Sequence, residues 1–330
     1  MRLDFRGYRE VSLFGNALGY QYASSSLFKA LEKDPEVTLT EDAEVAIHFC
    51  NPQVFKPVPS KRNFLFTMCE TDPAPSYHED PFIYGGASGQ IVPSRFCDRI
   101  LAPVAARWDV PTAISPLGFD PAKHPITPRS FDPREKFRFL WVGAPNGRKG
   151  ASPVIRAWDL AFQGQDWCHL TIKTTDPKGE GKVSQLSNSV TFDSRFLPAE
   201  EMSALVGESH CAVLPSFGEG FGLCHLEALA SGLPVITVQH SAPPEFLKDD
   251  ALYSDFEMVE TKSSDGEIFH AALADRVDLA RSMAQVVKAY PKWSKRALRG
   301  ARRVHSSMTW TDASNNLKEA IELLTQRLDD

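Results

Sequence analysis

CAVLPSFGEGFGLCHLEALASGLPVI, residues 211–236, holds a strand, a glycine-rich turn, a helix and a second strand in one short span. The apolar run 211–214 reads as a buried strand that enters a turn containing Gly218, Gly220 and Gly222. Glycine tolerates positive φ and lets a ligand come close to the main chain. A helix over 222–230 follows, with Leu223, Leu226 and Ala230 at helical spacing toward the core and Gly232 as its C-terminal stop. Its first N–H groups have no intrahelical acceptor and sit at the positive end of the dipole, so they form an anion site. Glu227 falls off the apolar stripe one turn in, and Glu219 lies in the loop ahead of the helix. Carboxylates there repel phosphate but accept hydrogen bonds from hydroxyl groups.

Working outward, the same alternation recurs. Strands are expected at 137–142, 169–173, 190–192 and 234–238, and helices at 152–162 and 199–206. In the first third, strands are expected at 45–49, 64–68 and 90–92, with a helix over 22–33 after a turn at 15–19. Repeated βαβ units of this kind build parallel, doubly wound sheets. The segment 119–136 holds four prolines and no periodic apolar face, so it reads as a linker. A last helix is expected over 311–328.

The loop 143–150 (GAPNGRKG) brings Arg148 and Lys149 to the carboxyl end of a strand, where two cations suit a diphosphate. Lys149 is followed by Gly150 rather than Ser or Thr, so the loop is not a Walker phosphate loop. Glu70 follows the apolar strand at 64–68; its carboxylate should stand at a cleft, where it can orient or deprotonate a hydroxyl. His48, at the end of another strand, reads as a core histidine.

The bulk numbers bound the class. The chain has 330 residues, 42% apolar and 24% charged, with a net charge of −6. That is long enough for two domains and too acidic overall to gather nucleic acid or anionic lipid by charge alone. No apolar stretch reaches the roughly 20 residues of a membrane span, and the N-terminus lacks a signal-peptide core. Six scattered cysteines without a C-x-x-C pair suit a reducing cytoplasm and no zinc site.

The order strand, P-S-x-x-E-G-F-G, helix, G-L-P-V-I strand, with Glu219 and Glu227 in E-x7-E spacing, resembles glycosyltransferase family 4 and related retaining GT-B enzymes. Other stretches extend the likeness to short bacterial and phage members: GNALGY (15–20), TMCETD (67–72), VPSRF (92–96), SPLGFD (115–120) and the Trp310, Thr311, Leu317 pattern. Loop 143–150 looks like the family's V-G-R-x-x-x-x-K-G loop, although Ala144 replaces the arginine usual after the first glycine.

The resemblance implies an α/β, GT-B fold: two Rossmann-like domains facing each other across a cleft. Residues 1–129 would form the acceptor-side domain, 130–305 the nucleotide-sugar domain, and 306–330 a helix crossing back. It implies a UDP- or GDP-sugar donor, a hydroxyl acceptor of unspecified kind, retention of configuration and no cofactor or required metal. The diphosphate would rest on Gly19, Arg148, Lys149 and the main chain of Gly220, Phe221, Gly222 and Leu223. Glu227 would hold the ribose, and Glu219 and Glu70 would do the catalytic work.

Rival readings are a metal-dependent GT-A enzyme using Glu70-x-Asp72, a non-catalytic binding protein on the same fold, and a phage-type enzyme acting on a modified DNA base. The last draws on the basic cluster at 292–303, which otherwise reads as a solvated helix face.

Overall fold

The computed structural model describes residues 1–7, 18–144, 147–175, 189–262 and 266–330. The first half holds β1 (Arg2–Arg6), α1 (Leu18–Lys33), β2 (Thr38–Leu39), β3 (Val45–Phe49), β4 (Arg62–Phe66), α2 (Asp80–Ile83), β5 (Gly89–Val92), α3 (Arg95–Ala106) and β6 (Thr112–Ile114). The second half runs β7 (Phe137–Val142), α4 (Ala151–Phe162), β8 (Cys168–Lys173), β9 (Val190–Asp193), α5 (Ala199–Glu208), β10 (Cys211–Val213), α6 (Leu223–Ala230), β11 (Val235–Val238), α7 (Pro243–Leu247) and β12 (Leu252–Ser254). After these come an antiparallel pair, β13 (Phe256–Lys262) and β14 (Ile268–Ala274), and the helices α8 (Arg276–Lys288), α9 (Tyr290–His305) and α10 (Trp310–Asp329).

Two six-stranded sheets result, ordered β2-β1-β3-β4-β5-β6 and β12-β11-β10-β7-β8-β9, with parallel neighbours throughout. Inner strands such as β3, β4 and β10 are almost wholly buried, as strands of a parallel sheet covered on both faces are. In β3 and β4, four of five residues are buried. Trp141 of β7 and Trp158 of α4 are among the largest fully buried side chains.

Each strand order reverses once, between β1 and β3 in the first sheet and between β7 and β10 in the second. At a reversal the loops leaving the two central strands diverge and open a crevice at their carboxyl ends. The segments after β7 and β10 therefore face each other.

Some boundaries differ from the sequence expectation for local reasons. β4 stops at Phe66 rather than Met68, because the Tyr20 hydroxyl accepts from the Met68 N–H at 3.0 Å and donates to its carbonyl at 3.1 Å. α6 starts at Leu223 because Gly222, with φ of 95°, lies in the left-handed region. β1 escaped the sequence reading because Arg2, Asp4 and Arg6 make it look polar. Asp4 is nonetheless buried, held by Lys61 at 2.7 Å and Arg6 at 2.9 Å.

The last helix packs on the first sheet. α10 lies against α1 and β6 and buries Trp310, Ala313, Leu317, Ile321 and Leu324 at helical spacing. Thr309 and Asp312 close its N-terminus with a capping box, and Lys318 pairs with Asp34 at 2.8 Å. The linker meets this crossing directly, since the Phe119 N–H donates to the Met308 carbonyl and the Trp310 N–H to the Phe119 carbonyl, both at 3.1 Å.

Leu317 is fully buried in that contact. Leu317→Ala is expected to lower the unfolding free energy by about 3 kcal/mol, as buried Leu→Ala changes do. Urea titration measures this; a midpoint equal to wild type would show that α10 is not part of the core.

Candidate active site

Lys149 and Glu219 meet at the reversal between β7 and β10. Two bonds hold the cationic loop in place: Trp141 Nε1 donates to the Lys149 carbonyl at 3.0 Å, and the Phe217 N–H donates to the Arg148 carbonyl at 2.7 Å. The first bond comes from β7 and the second from the loop after β10. Lys149 Nζ then lies 2.6 and 2.9 Å from the two oxygens of Glu219. Arg148 donates to the Gly218 carbonyl at 2.6 Å and stands 3.5 Å from Glu219 and 3.4 Å from Glu70. One guanidinium thus bridges the two halves of the chain.

Glu219 is 6% exposed. Burial alone would raise its pKa, but Lys149 and then Arg148 outweigh that and hold the carboxyl well below the usual range. Arg148 is likewise disfavoured as a cation by burial, and Glu70 and Glu219 more than restore it. The cluster is a mutually ionised set that would not survive as isolated charges.

The glycines of the turn have two different causes. Gly222 is required by its positive φ. Gly218 and Gly220 are required by close approach. A Cβ on Gly218 would stand 2.0 Å from the Glu70 carbonyl oxygen, and one on Gly220 would stand 2.9 Å from Met68 Cβ. The main chain beyond β4 therefore presses on the turn, and Ser94 Oγ seals the contact by donating to the Gly220 carbonyl at 2.7 Å. Beyond Gly222, the Leu223 N–H has no acceptor among the described residues, which leaves it able to bind an anion.

Glu227 opens on another part of the cleft. It lies 3.5 Å from His124 Nε2 and faces Tyr22, whose hydroxyl is pushed up by burial and then by the Glu227 charge. Lys123 stands 5.8 Å over the Tyr22 ring. Sequence reading missed Tyr22 and His124; the first follows Tyr20 on the first turns of α1 and the second lies in the proline-rich linker, and neither belongs to a motif or a periodic apolar pattern.

The remaining candidates are placed less tightly. Phe221 is 3% exposed and packs on Phe246 with ring centroids 5.4 Å apart, so its main chain alone borders the site. Gly19 is exposed at the start of α1, where a Cβ would meet nothing. Residues 15–17 and 145–146, parts of two of the quoted loops, lie outside the described residues. His48 is a core histidine 2.9 Å from Asn63, and His225 ties α6 to the sheet, 2.8 Å from the Leu214 carbonyl. In the basic cluster, Arg299 and Arg303 bind Asp250 at 2.7 and 2.8 Å. Among the described residues no group of three His, Cys, Asp or Glu side chains could hold a metal ion, and no helix is long and apolar enough to cross a membrane.

Known proteins resemble this chain in part of its sequence and in its fold. Residues 136–287 match the family described as glycosyl transferases group 1. The MMP alpha-(1->4)-mannosyltransferase of Mycolicibacterium hassiacum is 29% identical over 144 residues, 42% of this chain and 33% of that protein. The chain thus matches about a third of the length of that curated relative. Sucrose-phosphate synthase from Thermosynechococcus elongatus superposes with a TM-score of 0.63 at 17% identity, over 95% of this chain and 81% of that one. HepE of Anabaena, solved in complex with UDP and glucose, gives 0.64 at 12% identity, over 91% and 80%. With its two parallel sheets the chain has the GT-B fold, and its segment 136–287 is similar in sequence to the glycosyl transferases group 1 family.

Proposed function

We propose that this protein is a retaining glycosyltransferase that moves a sugar from a UDP- or GDP-sugar to a hydroxyl acceptor without needing a metal. The observation that carries the reading is the convergence of Lys149 and Arg148 on Glu219 at the strand-order reversal, in the turn that leads into the N-terminus of α6. The Anabaena structure, titled as a complex with UDP and glucose, and the M. hassiacum relative, named as a mannosyltransferase, support it.

In this account the diphosphate lies on the N–H groups of Gly222 and Leu223 and draws Lys149 and Arg148 toward itself. Glu219, relieved of part of that pairing, accepts hydrogen bonds from the hydroxyls of the transferred sugar. Glu227 accepts from the ribose. When the bond from the anomeric carbon to the phosphate oxygen breaks, charge builds on the departing nucleotide. The two cations and the helix dipole stabilise it without reorganising, which is the part a metal plays elsewhere. Glu70, across Arg148, orients the acceptor hydroxyl or takes its proton. The acceptor oxygen attacks from the face the nucleotide leaves, so configuration is kept. The pairing of Arg299 and Arg303 with Asp250 favours a structural use of the basic helix over a DNA acceptor.

Three outcomes are expected. Glu227→Ala should raise the donor KM about tenfold with a small change in kcat. Glu219→Ala should lower kcat by about 100-fold, the scale of losing one preorganised polar group. Steady-state kinetics distinguish them, and equal small effects would contradict the assignment. Second, UDP or GDP should raise the melting point equally with and without EDTA, since a ligand that binds the folded state alone stabilises it. A shift abolished by chelator would require a metal.

Third, the Glu219 carboxyl is held below its unfolded value, so folding favours the ionised form. Its contribution is complete above the unfolded carboxylate range and is lost as pH falls through the folded value. Glu219→Gln should cost about 3 kcal/mol at pH 7, the loss of one partner from a buried pair. Urea titrations should show that gap narrowing by pH 3.5; a constant gap would contradict the pairing.

A further inference from the structure

We infer that the acceptor is the end of a neutral oligosaccharide, bound in a cavity beside Glu70 that the β13–β14 pair walls off; this rests on the glycosyltransferase reading above. The cavity encloses about 790 Å³ between the segment after Glu70, one face of α3 and the start of β14. Sites for small molecules usually measure roughly 300–1,000 Å³.

The antiparallel pair belongs to neither parallel sheet, yet β14 is bonded to both halves of the site. The Ala272 N–H donates to the Phe217 carbonyl at 3.0 Å, in the loop that carries Glu219. Two residues earlier, the His270 N–H donates to the Asp72 carbonyl at 2.8 Å, in the loop that carries Glu70. Glu267 then accepts from the Ser76 N–H at 2.9 Å. One strand therefore ties the two carboxylate-bearing loops together and forms a wall of the space that opens next to Glu70.

The lining has the chemistry of a saccharide site. Tyr77 and Phe269 supply rings against which the C–H face of a pyranose can pack. The Tyr77 hydroxyl is pushed up to about 12 by burial and then by the Glu70 charge, so it stays protonated and can donate to a sugar oxygen. Arg99 pairs with Asp72 at 3.0 Å and Arg107 pairs with Glu79, so each couple offers donors and acceptors together to sugar hydroxyls. Two guanidiniums, Arg99 and Arg107, share the lining with three carboxylates, Asp72, Glu79 and Glu267, and the lining begins at Thr71, the residue after Glu70. No positive charge is in excess, as a phosphate-bearing acceptor such as DNA or an anionic lipid would require.

Saturation-transfer NMR with maltotriose, mannotriose, cellotriose and chitotriose, run on wild type, Phe269→Ala and Tyr77→Ala, tests the inference. Melting curves of each protein with UDP and GDP accompany it. At least one trisaccharide should receive saturation from wild type, with a fivefold or greater loss in both variants, while the nucleotide-induced shift is unchanged. The inference is overturned by trisaccharide signals equal in all three proteins, or by none from wild type while UDP or GDP still raises its melting point. Displacement of the bound trisaccharide by duplex DNA or phosphatidylglycerol vesicles would also overturn it. If no nucleotide shifts any of the three proteins, the donor reading itself fails, and this proposal loses its ground for that separate reason.

Discussion

A buried carboxylate between two cations sets the terms for the rest of this molecule. Glu219 has left water almost completely, and a bare charge there would cost several kcal/mol. It is tolerated because Lys149 holds both of its oxygens and Arg148 stands beside it. That arrangement needs the loops after β7 and β10 on the same side of one sheet, which a parallel order with a reversal between those strands provides. It also needs Trp141 below to fix the height of the cationic loop. A set of charges balanced in this way is poised for exchange, since an anion arriving at α6 can share the cations at little cost in new desolvation.

The same constraint extends into the other half of the chain. Arg148 reaches Glu70, and the turn bearing Glu219 lies so close to the main chain after β4 that two of its positions must be glycine. Glu245 reinforces the closure from α7 by accepting from the N–H groups of Arg95 and Phe96 at 3.0 and 2.8 Å, at the start of α3. Here a carboxylate of the second half satisfies a helix end of the first. The β14 strap adds bonds between the same loops. The loops that carry Glu219 and Glu70 are therefore held in register by main-chain contacts as well as by side-chain charges.

Much of this was legible in the sequence, for identifiable reasons. Apolar runs such as 45–49 and 137–142 must be strands because a sheet covered on both faces admits little else. The helix at 223–230 was legible because a glycine with positive φ and a glycine stop bracket it. What escaped was nonlocal or masked by charge. Nothing near Lys149 announces a partner seventy positions on, because strand order creates that contact. β1 hides behind a buried Asp4–Lys61 pair. In β13 and β14 most residues remain partly or wholly exposed, so no apolar periodicity marks them. Gly218 and Gly220 were read as serving a ligand, whereas the nearest demand on them comes from the chain's own backbone. His124 lay in a segment read as a plain linker, yet it stands against Glu227.

The most direct test is a crystal structure of the protein grown with UDP or GDP. The account requires the diphosphate at the start of α6, with phosphate oxygens within hydrogen-bond distance of both the Leu223 N–H and Lys149 Nζ. A diphosphate bound elsewhere, or a Lys149 that keeps both oxygens of Glu219 and touches no phosphate, would contradict it.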